Sequence, residues 1–455
     1  MIEKIFSQKR LELIFYFMIA FALLGPTLGI DLHPEFKLTF FRIAFFVLLA
    51  FLIIRFLKYK DLEASHLYPI RWYIAFFAFW FIYAVISLAW VIQIKFGIRY
   101  VFFLFMMILL CLAFPYFARD EKRIWRSLGV AFAVFSIMVY FGLFESVTYF
   151  HLPSSRYWGS KSASVTSFFQ NQNDFATTIT LALPFLATAL HTLNLRRKMK
   201  VFLYFTIIFA LYCLLATGSR SNTFFALPLI FVVWVIALPF TVPKEKLTKN
   251  NIFKGVAVVL SIALIVGLLS QFLLAENGRA KLASTIGIFQ DLKSGTMNIH
   301  ELDEVEKGEG TGGQSITVRK YLLLYGLDFL QKSHYLGVGA GNVEAHMKGK
   351  KGVNKVNIHN WWAEVLVNFG VIVFVLYMAL YLWLLYQLWL LAQIKKSPSI
   401  SPVIRWGAIA SLLSLIGFFF GAIAPSSCIH FTPMWSTIGI ALAIVAIGNK
   451  QKQKA

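Results

Sequence analysis

The chain has 455 residues, of which 59% are hydrophobic and only 14% are charged. Soluble domains carry about 25% charged residues, so this composition excludes an ordinary soluble enzyme and predicts a polytopic membrane domain. The formal net charge of +22 would suggest a nucleic-acid partner in a soluble protein. Lys and Arg at cytoplasmic helix ends account for such a charge, and no nucleic-acid-binding motif accompanies it. We therefore expect no nucleic acid as a partner.

Twelve apolar runs are long enough to cross a bilayer as helices, and they are too continuous for the alternating strands of a β-barrel. They lie at about 11–30, 37–57, 71–92, 100–118, 126–146, 173–192, 200–217, 222–240, 254–275, 360–392, 404–424 and 433–448. We predict an all-α polytopic membrane protein of about 12 transmembrane helices forming one integrated domain. Spans one to nine occupy residues 1–275, a large loop occupies 276–358, and spans ten to twelve occupy 359–455.

Basic residues are concentrated in alternate connections between these spans. The connections rich in them carry, for example, Arg55, Lys58 and Lys60, then Arg119, Lys122 and Arg123, then Arg196, Arg197 and Lys198. Positive residues favour the cytoplasmic side, so this bias predicts that both termini are cytoplasmic. The large loop and the other polar candidates then fall on the extracytoplasmic face.

The large loop has two parts of different character. Residues 294–314 are rich in glycine and acidic side chains, which predicts a mobile segment. Residues 315–333 predict an amphipathic helix, which either lies on the membrane surface or caps the transmembrane bundle. Its apolar stripe consists of Val318, Leu322, Tyr325, Phe329 and Leu330.

A His-Asn pair ends the large loop, directly before span ten. His359 can give or take a proton near neutral pH, and Asn360 suits a helix N-cap. Unpaired N–H groups at that helix start would favour an anion. The alternative is that His359 and the adjoining Trp361 are only interfacial anchors.

Three arginines are candidates for binding an anionic substrate: Arg220 in a tight outer turn, Arg319 in the large loop and Arg42 near the outer end of span two. The guanidinium group offers a fixed fork of donors that matches phosphate. The alternatives are a solvated charge for Arg319 and a side chain that reaches toward lipid head groups for Arg220 and Arg42.

Polar residues also gather at the mouth of span six, where Asn171, Asn173 and Asp174 lie close together. Such clusters face a cavity or a partner helix, or they cap the helix. Two further carboxylates, Glu145 and Glu364, fall inside spans and are functional candidates by position. Glu364 also has the simpler interpretation of accepting a hydrogen bond from a neighbouring helix.

The glycine-rich run at 337–342 does not open a helix after a buried strand, so we reject a nucleotide-binding loop. We expect its backbone N–H groups to be available to an anion. The outer loops contain no DxD, HExxH or paired-acid motif, and the three cysteines form no CxxC pair. We therefore expect no metal and no other cofactor.

Taken together, these residues resemble the O-antigen ligase and O-antigen polymerase superfamily of bacterial envelope glycosyltransferases. The marks occur in order along the chain: Asn171-Gln172-Asn173-Asp174-Phe175-Ala176, Ser219-Arg220, Arg319, the run at 337–342, and His359-Asn360 followed by Gly370. The chain departs from the pattern at three positions: Gln172 replaces a frequent Pro, Asn368-Phe369 precedes the final Gly without an acidic residue, and Val373 follows where a smaller residue is usual.

The resemblance implies a metal-independent GT-C-type glycosyltransferase in the bacterial cytoplasmic membrane. Its donor would be a glycan on undecaprenyl pyrophosphate, and its acceptor a glycan, a lipid or a protein. His359, Arg319 and Arg220 would be catalytic, and Asn360, Asn173, Asn171, Arg42 and Trp361 would bind substrate. A ligase and a polymerase remain alternatives, in lipopolysaccharide or in another surface polysaccharide. A transporter or flippase for lipid-linked glycan is the alternative of another class.

Overall fold

The computed structural model describes residues 8–33, 36–60, 63–274, 276, 279, 313–350 and 356–453. Within these ranges, eleven helices are long and apolar enough to cross a membrane. Each coincides with one of the apolar runs identified in the sequence. The fold is nearly all helical, which confirms the prediction of a polytopic all-α membrane protein.

The first nine helices follow one another along the chain, and the longest connection between them, residues 149–171, separates α5 from α6. They are α1 Gln8–Leu23, α2 Phe40–Tyr59, α3 Arg71–Ile86, α4 Ile94–Phe117, α5 Glu121–Thr148, α6 Gln172–Thr192, α7 Arg197–Thr217, α8 Leu227–Thr241 and α9 Lys249–Leu273. A 3₁₀ segment, Ser65–Ile70, leads into α3, and a π-helical turn, Ser221–Ala226, leads into α8.

Five more helices complete the described chain. They are α10 Gly313–Lys332, α11 Val343–Met347, α12 Trp361–Ala392, α13 Pro402–Gly421 and α14 Thr432–Gln453. The candidate membrane-spanning helices are α2 to α9 and α12 to α14, while α10 and α11 belong to the large loop.

The first predicted span differs from the others. Its helix α1 has 16 residues, fewer than the roughly 20 that a bilayer core requires. After α1 the chain forms an antiparallel hairpin, β1 Gly29–His33 and β2 Phe36–Thr39, in which Gly29 pairs with Thr39. A Cβ atom at Gly29 would lie 2.8 Å from the Leu38 carbonyl oxygen, so only glycine fits this close pairing.

Burial is uneven among the spans. The last helix, α14, packs against α4, α12 and α13 and is almost wholly buried, whereas α9 packs mainly on α7 and leaves most of its apolar surface exposed. Helix α13 packs closely on α6. The core of the bundle is therefore built around α4, α6, α13 and α14, and α9 lies at its edge.

The amphipathic helix predicted at 315–333 is α10, and it caps the bundle. It packs against α11 and the first half of α12. Leu322 and Phe329 are buried there with Ile358 and Val367, and Val318 packs against the same cluster. This confirms the apolar stripe read from the sequence. The mobile segment predicted at 294–314 lies outside the described residues up to position 312.

Helix α12 is broken at Gly370, whose φ of +78° is non-helical. The glycine-rich run at 337–342 fills this break. A Cβ at Gly337 would approach the Gly370 nitrogen to 2.5 Å, and a Cβ at Gly370 would approach the Tyr335 carbonyl oxygen to 2.4 Å. Both positions require glycine because two backbones meet there.

The same contacts use the N–H groups of the run. Val338 N donates to the Val367 carbonyl, Gly339 N to the Asn368 carbonyl, and Ala340 N to a serine hydroxyl after α3. The prediction that these N–H groups are available to an anion is therefore wrong. The run is a packing element that joins the large loop to α12 and to the α3–α4 connection.

Candidate active site

The loop between α13 and α14, residues 422–431, joins several elements that carry predicted site residues. We name it the central loop. Its Ser426 Oγ accepts a hydrogen bond from Asn171 Nδ2 at 3.0 Å, which connects it to the start of α6. The Ala422 carbonyl accepts a hydrogen bond from Trp361 N at 3.1 Å, which connects it to the start of α12. Asn171 and the His359-Asn360 pair are thus held by one short segment.

Arg42 approaches the same loop from α2. Its guanidinium donates to the Lys37 carbonyl at 2.6 Å and lies 5.3 Å from the centroid of the Phe103 ring. The His430 ring of the central loop packs against Phe103, with 5.6 Å between ring centroids. The pKa of His430 is lowered to about 4, by desolvation first and then by the positive charges of Arg42 and Arg99, although the imidazole is exposed at the protein surface. Arg42 is therefore close enough to the central loop to act on it electrostatically.

Arg220 and Arg319, far apart in sequence, lie within electrostatic range of each other. Burial lowers the pKa of the Arg319 guanidinium, and the positive charge of Arg220 lowers it further. Both side chains are half-buried. Arginine keeps its charge in proteins, so the structure brings two cations together on the face that also carries the His-Asn pair.

The turn that carries Arg220 is fixed by Asn222, which is fully buried. Its Nδ2 donates to Thr177 Oγ1 at 3.1 Å, and its Oδ1 accepts from Thr180 Oγ1 at 2.8 Å. A Cβ at Gly421 would lie 3.2 Å from this Oδ1. The turn is thereby held against α6 and the end of α13, directly before the central loop.

Asn360 caps α12 as predicted. Its Oδ1 accepts hydrogen bonds from Trp362 N at 3.1 Å and Ala363 N at 3.3 Å. The first N–H of the helix donates to Ala422 and the fourth to the Asn360 carbonyl. The prediction that this helix start offers unpaired N–H groups to an anion is therefore wrong, because the cap and the central loop use them.

His359 is buried, with 7% of its surface exposed, and has a φ of +53°. This left-handed conformation is uncommon for residues other than glycine and is concentrated at functional sites. The preceding Ile358 packs on α10, since a Cβ at Gly326 would meet Ile358 Cδ1 at 2.7 Å. Arg319 lies two turns before Gly326 on the same side of α10. The packing of α10 therefore brings the segments of His359 and Arg319 together.

Trp361 does not occupy the position expected of a sugar-binding residue. Its side chain is 1% exposed, and its Nε1 donates to the Tyr377 hydroxyl at 3.0 Å. Its ring packs against Trp80 and Trp435, with centroids 6.2 and 6.0 Å away. Aromatic side chains thus surround the Trp361 ring. We therefore assign Trp361 to the core of the bundle and no longer count it among the substrate-binding residues.

The polar cluster at the mouth of α6 has two roles. Asn171 is the N-cap, and its Oδ1 accepts a hydrogen bond from Asn173 N at 3.0 Å. Asn173 and Asp174 are half-buried in the first turn of the helix. Burial raises the pKa of Cys428 in the central loop, and the carboxylates of Glu364 and Asp174 raise it further. Asp174 is therefore a neighbour of the central loop.

The two remaining carboxylates stabilise loops. Glu145 is buried and accepts hydrogen bonds from the backbone and hydroxyl of Thr166 and from His151 Nδ1 at 2.7 Å. Glu364 accepts from the Tyr100 hydroxyl at 2.9 Å and from a serine hydroxyl of the central loop at 3.0 Å. For Glu364, the interpretation as a hydrogen-bond acceptor for a neighbouring helix is thus the one observed.

Sequence reasoning missed the central loop. Its signal was a polar run, Ser426-Ser427-Cys428 followed by His430, between the last two spans on the predicted outer face. The central loop matters because it contacts Asn171, Trp361 and Glu364. These contacts join residues distant in sequence, so the sequence pattern near the loop does not predict them. Within the described ranges, no three His, Cys, Asp or Glu side chains lie close enough to hold a metal ion together.

A membrane bundle with two arginines and a His-Asn pair at one end resembles the class of membrane proteins to which the motifs pointed. The family model described as O-antigen ligase matches residues 205–378, so this part of the chain is similar to that family. The matched stretch includes Arg220, Arg319, His359 and Asn360.

Among curated proteins, the chain is similar to the teichuronic acid biosynthesis protein TuaE of Bacillus subtilis (strain 168). The two are 27% identical over 402 residues, which cover 86% of this chain and 75% of TuaE. The similarity extends well beyond the matched family region and includes most of the transmembrane bundle.

Proposed function

We propose that this protein is a glycosyltransferase of surface polysaccharide biosynthesis, of the GT-C type, in the bacterial cytoplasmic membrane. It transfers or polymerises a glycan from an undecaprenyl-pyrophosphate donor, and the acceptor is a glycan or a lipid. The O-antigen ligase match and the similarity to TuaE support a membrane ligase or polymerase of this pathway. The observation that carries the proposal is that the turn of Arg220 and the segment of His359 both contact the chain at Gly421 and Ala422, with Arg319 within electrostatic range of Arg220.

The two arginines bind the pyrophosphate of the donor. Two like charges within electrostatic range of each other at half-buried positions repel each other, and a multiply charged anion between them would offset that repulsion. Guanidinium forks match phosphate oxygens in geometry and charge. As the bond from the anomeric carbon to the phosphate oxygen breaks, negative charge grows on the leaving group. Arg220 and Arg319 stabilise that charge, and Arg42 contributes from the other side of the central loop.

His359 serves the acceptor. The acceptor hydroxyl oxygen attacks the anomeric carbon and gives its proton to His359 as the new glycosidic bond forms. The pyrophosphate leaves with the electron pair of the broken bond, still attached to its isoprenoid. Asn360 fixes the backbone beside His359 through its cap, and Asn173 contacts the sugar. Asn171 positions α6 against the central loop. In this mechanism guanidinium groups supply the positive charge, so we expect activity to persist in EDTA.

The face that carries these residues is extracytoplasmic in the proposal, with both termini in the cytoplasm, which requires that α1 and the hairpin after it provide a twelfth crossing. The basic connections of the opposite face support this orientation. Donor glycan on undecaprenyl pyrophosphate would then be used after it has crossed the membrane. A cysteine-labelling experiment on exposed residues of the two faces tests the orientation.

The test of function is transfer by purified protein in nanodiscs that contain undecaprenyl-pyrophosphate glycan. We expect a new glycosidic linkage with the native chain and none detectable with His359→Ala or Arg319→Ala. Arg156→Ala is the matched control, since Arg156 is an exposed arginine of the α5–α6 connection. Full activity in both site variants would overturn the assignment of roles. Movement of glycan across the bilayer without a change of linkage would indicate a flippase instead.

A ligase and a polymerase are separated by their products. Deletion of a polymerase removes the ladder of chain lengths, whereas deletion of a ligase leaves free polymer that fails to attach. Similarity to a teichuronic acid biosynthesis protein supports a surface polysaccharide as the polymer.

A further inference from the structure

The first turn of α6 carries three consecutive polar side chains, Gln172, Asn173 and Asp174, at the edge of the candidate site. All three are half-buried. The preceding Asn171 uses both ends of its amide, toward Asn173 N and toward Ser426 Oγ. Among the described residues, by contrast, no protein group is hydrogen-bonded or ion-paired to the side chains of Gln172, Asn173 and Asp174.

Polar groups in such positions are rarely left without a partner. In native proteins about nine in ten buried polar groups are hydrogen-bonded to protein or to ordered water. The Gln172 Oε1 atom is buried, and a buried acceptor costs free energy unless some group donates to it. Side chains in the first turn of a helix lean toward its N-terminus, so the three groups surround the mouth of α6. They are therefore a candidate binding site for a polar ligand.

The chemistry of these groups selects a ligand that donates hydrogen bonds. The Gln172 Oε1 atom and the Asp174 carboxylate accept hydrogen bonds, and the amide of Asn173 both donates and accepts. A sugar hydroxyl donates to the first two and also accepts from an amide. An acidic sugar would bring its own carboxylate against Asp174, and the two like charges would repel each other. The site therefore fits a neutral sugar ring with neighbouring hydroxyls.

The position of the site assigns this ring to the acceptor. The carboxylate of Asp174 is close enough to Cys428 of the central loop to act on it electrostatically. A carboxylate beside the pyrophosphate would weaken its binding, and the arginines proposed to bind the pyrophosphate are a separate pair. The central loop also holds the segment of His359, since Trp361 N donates to the Ala422 carbonyl. A sugar bound at the mouth of α6 thus lies on the loop that positions the proposed base.

We propose that Gln172, Asn173 and Asp174 form the subsite for the terminal sugar of the acceptor, and that Gln172 and Asp174 restrict it to a neutral ring with neighbouring hydroxyls. One hydroxyl of the ring donates to Gln172 Oε1 and another to the Asp174 carboxylate. The inference rests on the proposed function, which requires an acceptor. It goes further by naming the class of sugar and two residues that select it.

Gln172→Pro separates ligand binding from folding. Gln172 is the first helical residue of α6, where the backbone N–H has no intrahelical partner and proline is favoured. Asn171 has a φ of −122° and a ψ of 135°, the extended conformation that a residue before proline adopts. The substitution should therefore remove the amide and leave the start of the helix intact.

Arg197→Pro is the matched control. Arg197 is the exposed first residue of α7, and the preceding Arg196 is likewise extended, with a φ of −61° and a ψ of 147°. It follows the far end of α6, so it lies away from the proposed subsite. Both variants place proline at the same helix position, and only one of them removes a group of the subsite.

The transfer assay in nanodiscs measures KM for the donor and for the acceptor. We expect Gln172→Pro to raise the acceptor KM by about 3- to 10-fold, the loss of one hydrogen bond, and Asp174→Asn to raise it by about tenfold or more, the loss of a charged one. The rate constant kcat and the donor KM should match those of Arg197→Pro, since binding alone is lost. Asp174→Asn also removes a negative charge that stabilises the helix start, so KM and not melting temperature is the measurement that decides.

An acceptor KM that is unchanged in both variants would overturn the inference and leave the proposed function intact. A rise confined to the donor KM would overturn the assignment to the acceptor.

Binding of a released sugar tests the subsite without any transfer. The probe is the repeat-unit oligosaccharide freed from its lipid pyrophosphate by mild acid and added to protein in nanodiscs. We expect it to bind the native chain and Arg197→Pro equally, and Gln172→Pro more weakly by the same factor as in KM. Such binding in a protein that performs no transfer would support the subsite and count against the function.

Competition against this probe tests the selectivity. A methyl hexoside should displace it from the native chain better than the corresponding methyl hexuronide does, and Asp174→Asn should lose that preference. Equal competition by the two glycosides in the native chain would overturn the proposed restriction to a neutral ring.

Discussion

Two glycine-containing turns of the described chain use their polar groups in opposite ways. In the run at 337–342, backbone N–H groups donate to backbone carbonyls and to a serine hydroxyl. Its glycines allow the backbone of the run to contact the backbone of α12. The turn at 217–222 also contains a left-handed glycine, Gly218, but its buried polar group is the Asn222 side chain. That turn holds Arg220 near Arg319. The role of each turn therefore follows from the residues to which its polar groups are hydrogen-bonded, and not from its glycines.

The largest loss of stability is expected at the contact between the run at 337–342 and the backbone of α12. Gly337→Ala places a Cβ 2.5 Å from the Gly370 nitrogen, in addition to the strain of a φ of +88°. Gly159 has a φ of +74° with no atom within 4 Å, so Gly159→Ala carries the strain alone. We expect Gly159→Ala to cost about 1–2 kcal/mol and Gly337→Ala to exceed about 4 kcal/mol or prevent folding.

Thermal unfolding in detergent measures the difference. Equal losses of stability in the two variants would show that the contact between the run and α12 contributes nothing.

The second turn should separate activity from stability. Arg220→Ala is expected to lower the transfer rate by on the order of 10²–10³ and to leave the unfolding temperature nearly unchanged. Asn222→Ala removes the buried amide that the hydroxyls of Thr177 and Thr180 share, while each hydroxyl keeps a backbone carbonyl acceptor, so it should lower stability by about 1–3 kcal/mol. Rate and melting temperature are measured on the same preparations. A loss of stability in Arg220→Ala as large as that in Asn222→Ala would contradict the division of roles.

The central loop should give a pH effect of intermediate size. The pKa of His430 is lowered to about 4 by desolvation and by Arg42 and Arg99, while an unfolded histidine has a pKa near 6.5; because the side chain is exposed, solvent screens part of this shift. Between these values the unfolded chain binds more protons, so stability falls as the pH drops from about 6.5 to 4. Above about 6.5 this group has no effect.

Unfolding of the native chain and of His430→Asn at neutral and acidic pH checks this expectation. The variant should lose less stability on acidification than the native chain does. A transition near neutral pH in the activity profile, retained in His430→Asn, would then report another group such as His359.

The smallest effect is expected for Ser426→Ala, which removes one hydrogen bond to Asn171. We expect a loss of about 1 kcal/mol and a modest rise in KM. Ser160→Ala is a suitable control, because that hydroxyl bonds only locally, to the Tyr157 carbonyl. An unchanged melting temperature together with unchanged KM would show that the central loop does not depend on this contact.

Features that depend only on neighbouring residues in the chain were predicted from the sequence. The spans follow from hydropathy, the stripe of α10 from its period, and the Asn360 cap from the residue type before an apolar run. The use of N–H groups at 337–342 and at the start of α12 was predicted wrongly, because their partners, Val367 and Ala422, are distant in sequence. The core position of Trp361 was missed for the same reason. Its neighbours Trp80 and Trp435 belong to other helices.

In the proposed orientation, the break at Gly370 also determines how far His359 lies from the hydrocarbon core of the membrane. Residues 371–392 form about 33 Å of helix, enough to match the hydrocarbon thickness of about 30 Å without help from the nine residues that precede the break. Those nine residues form a further 13 Å or so of helix above the break. In the proposed orientation the imidazole at their start lies beyond the hydrocarbon and past the head-group layer of about 5–7 Å, where a polar acceptor from the aqueous side can reach it.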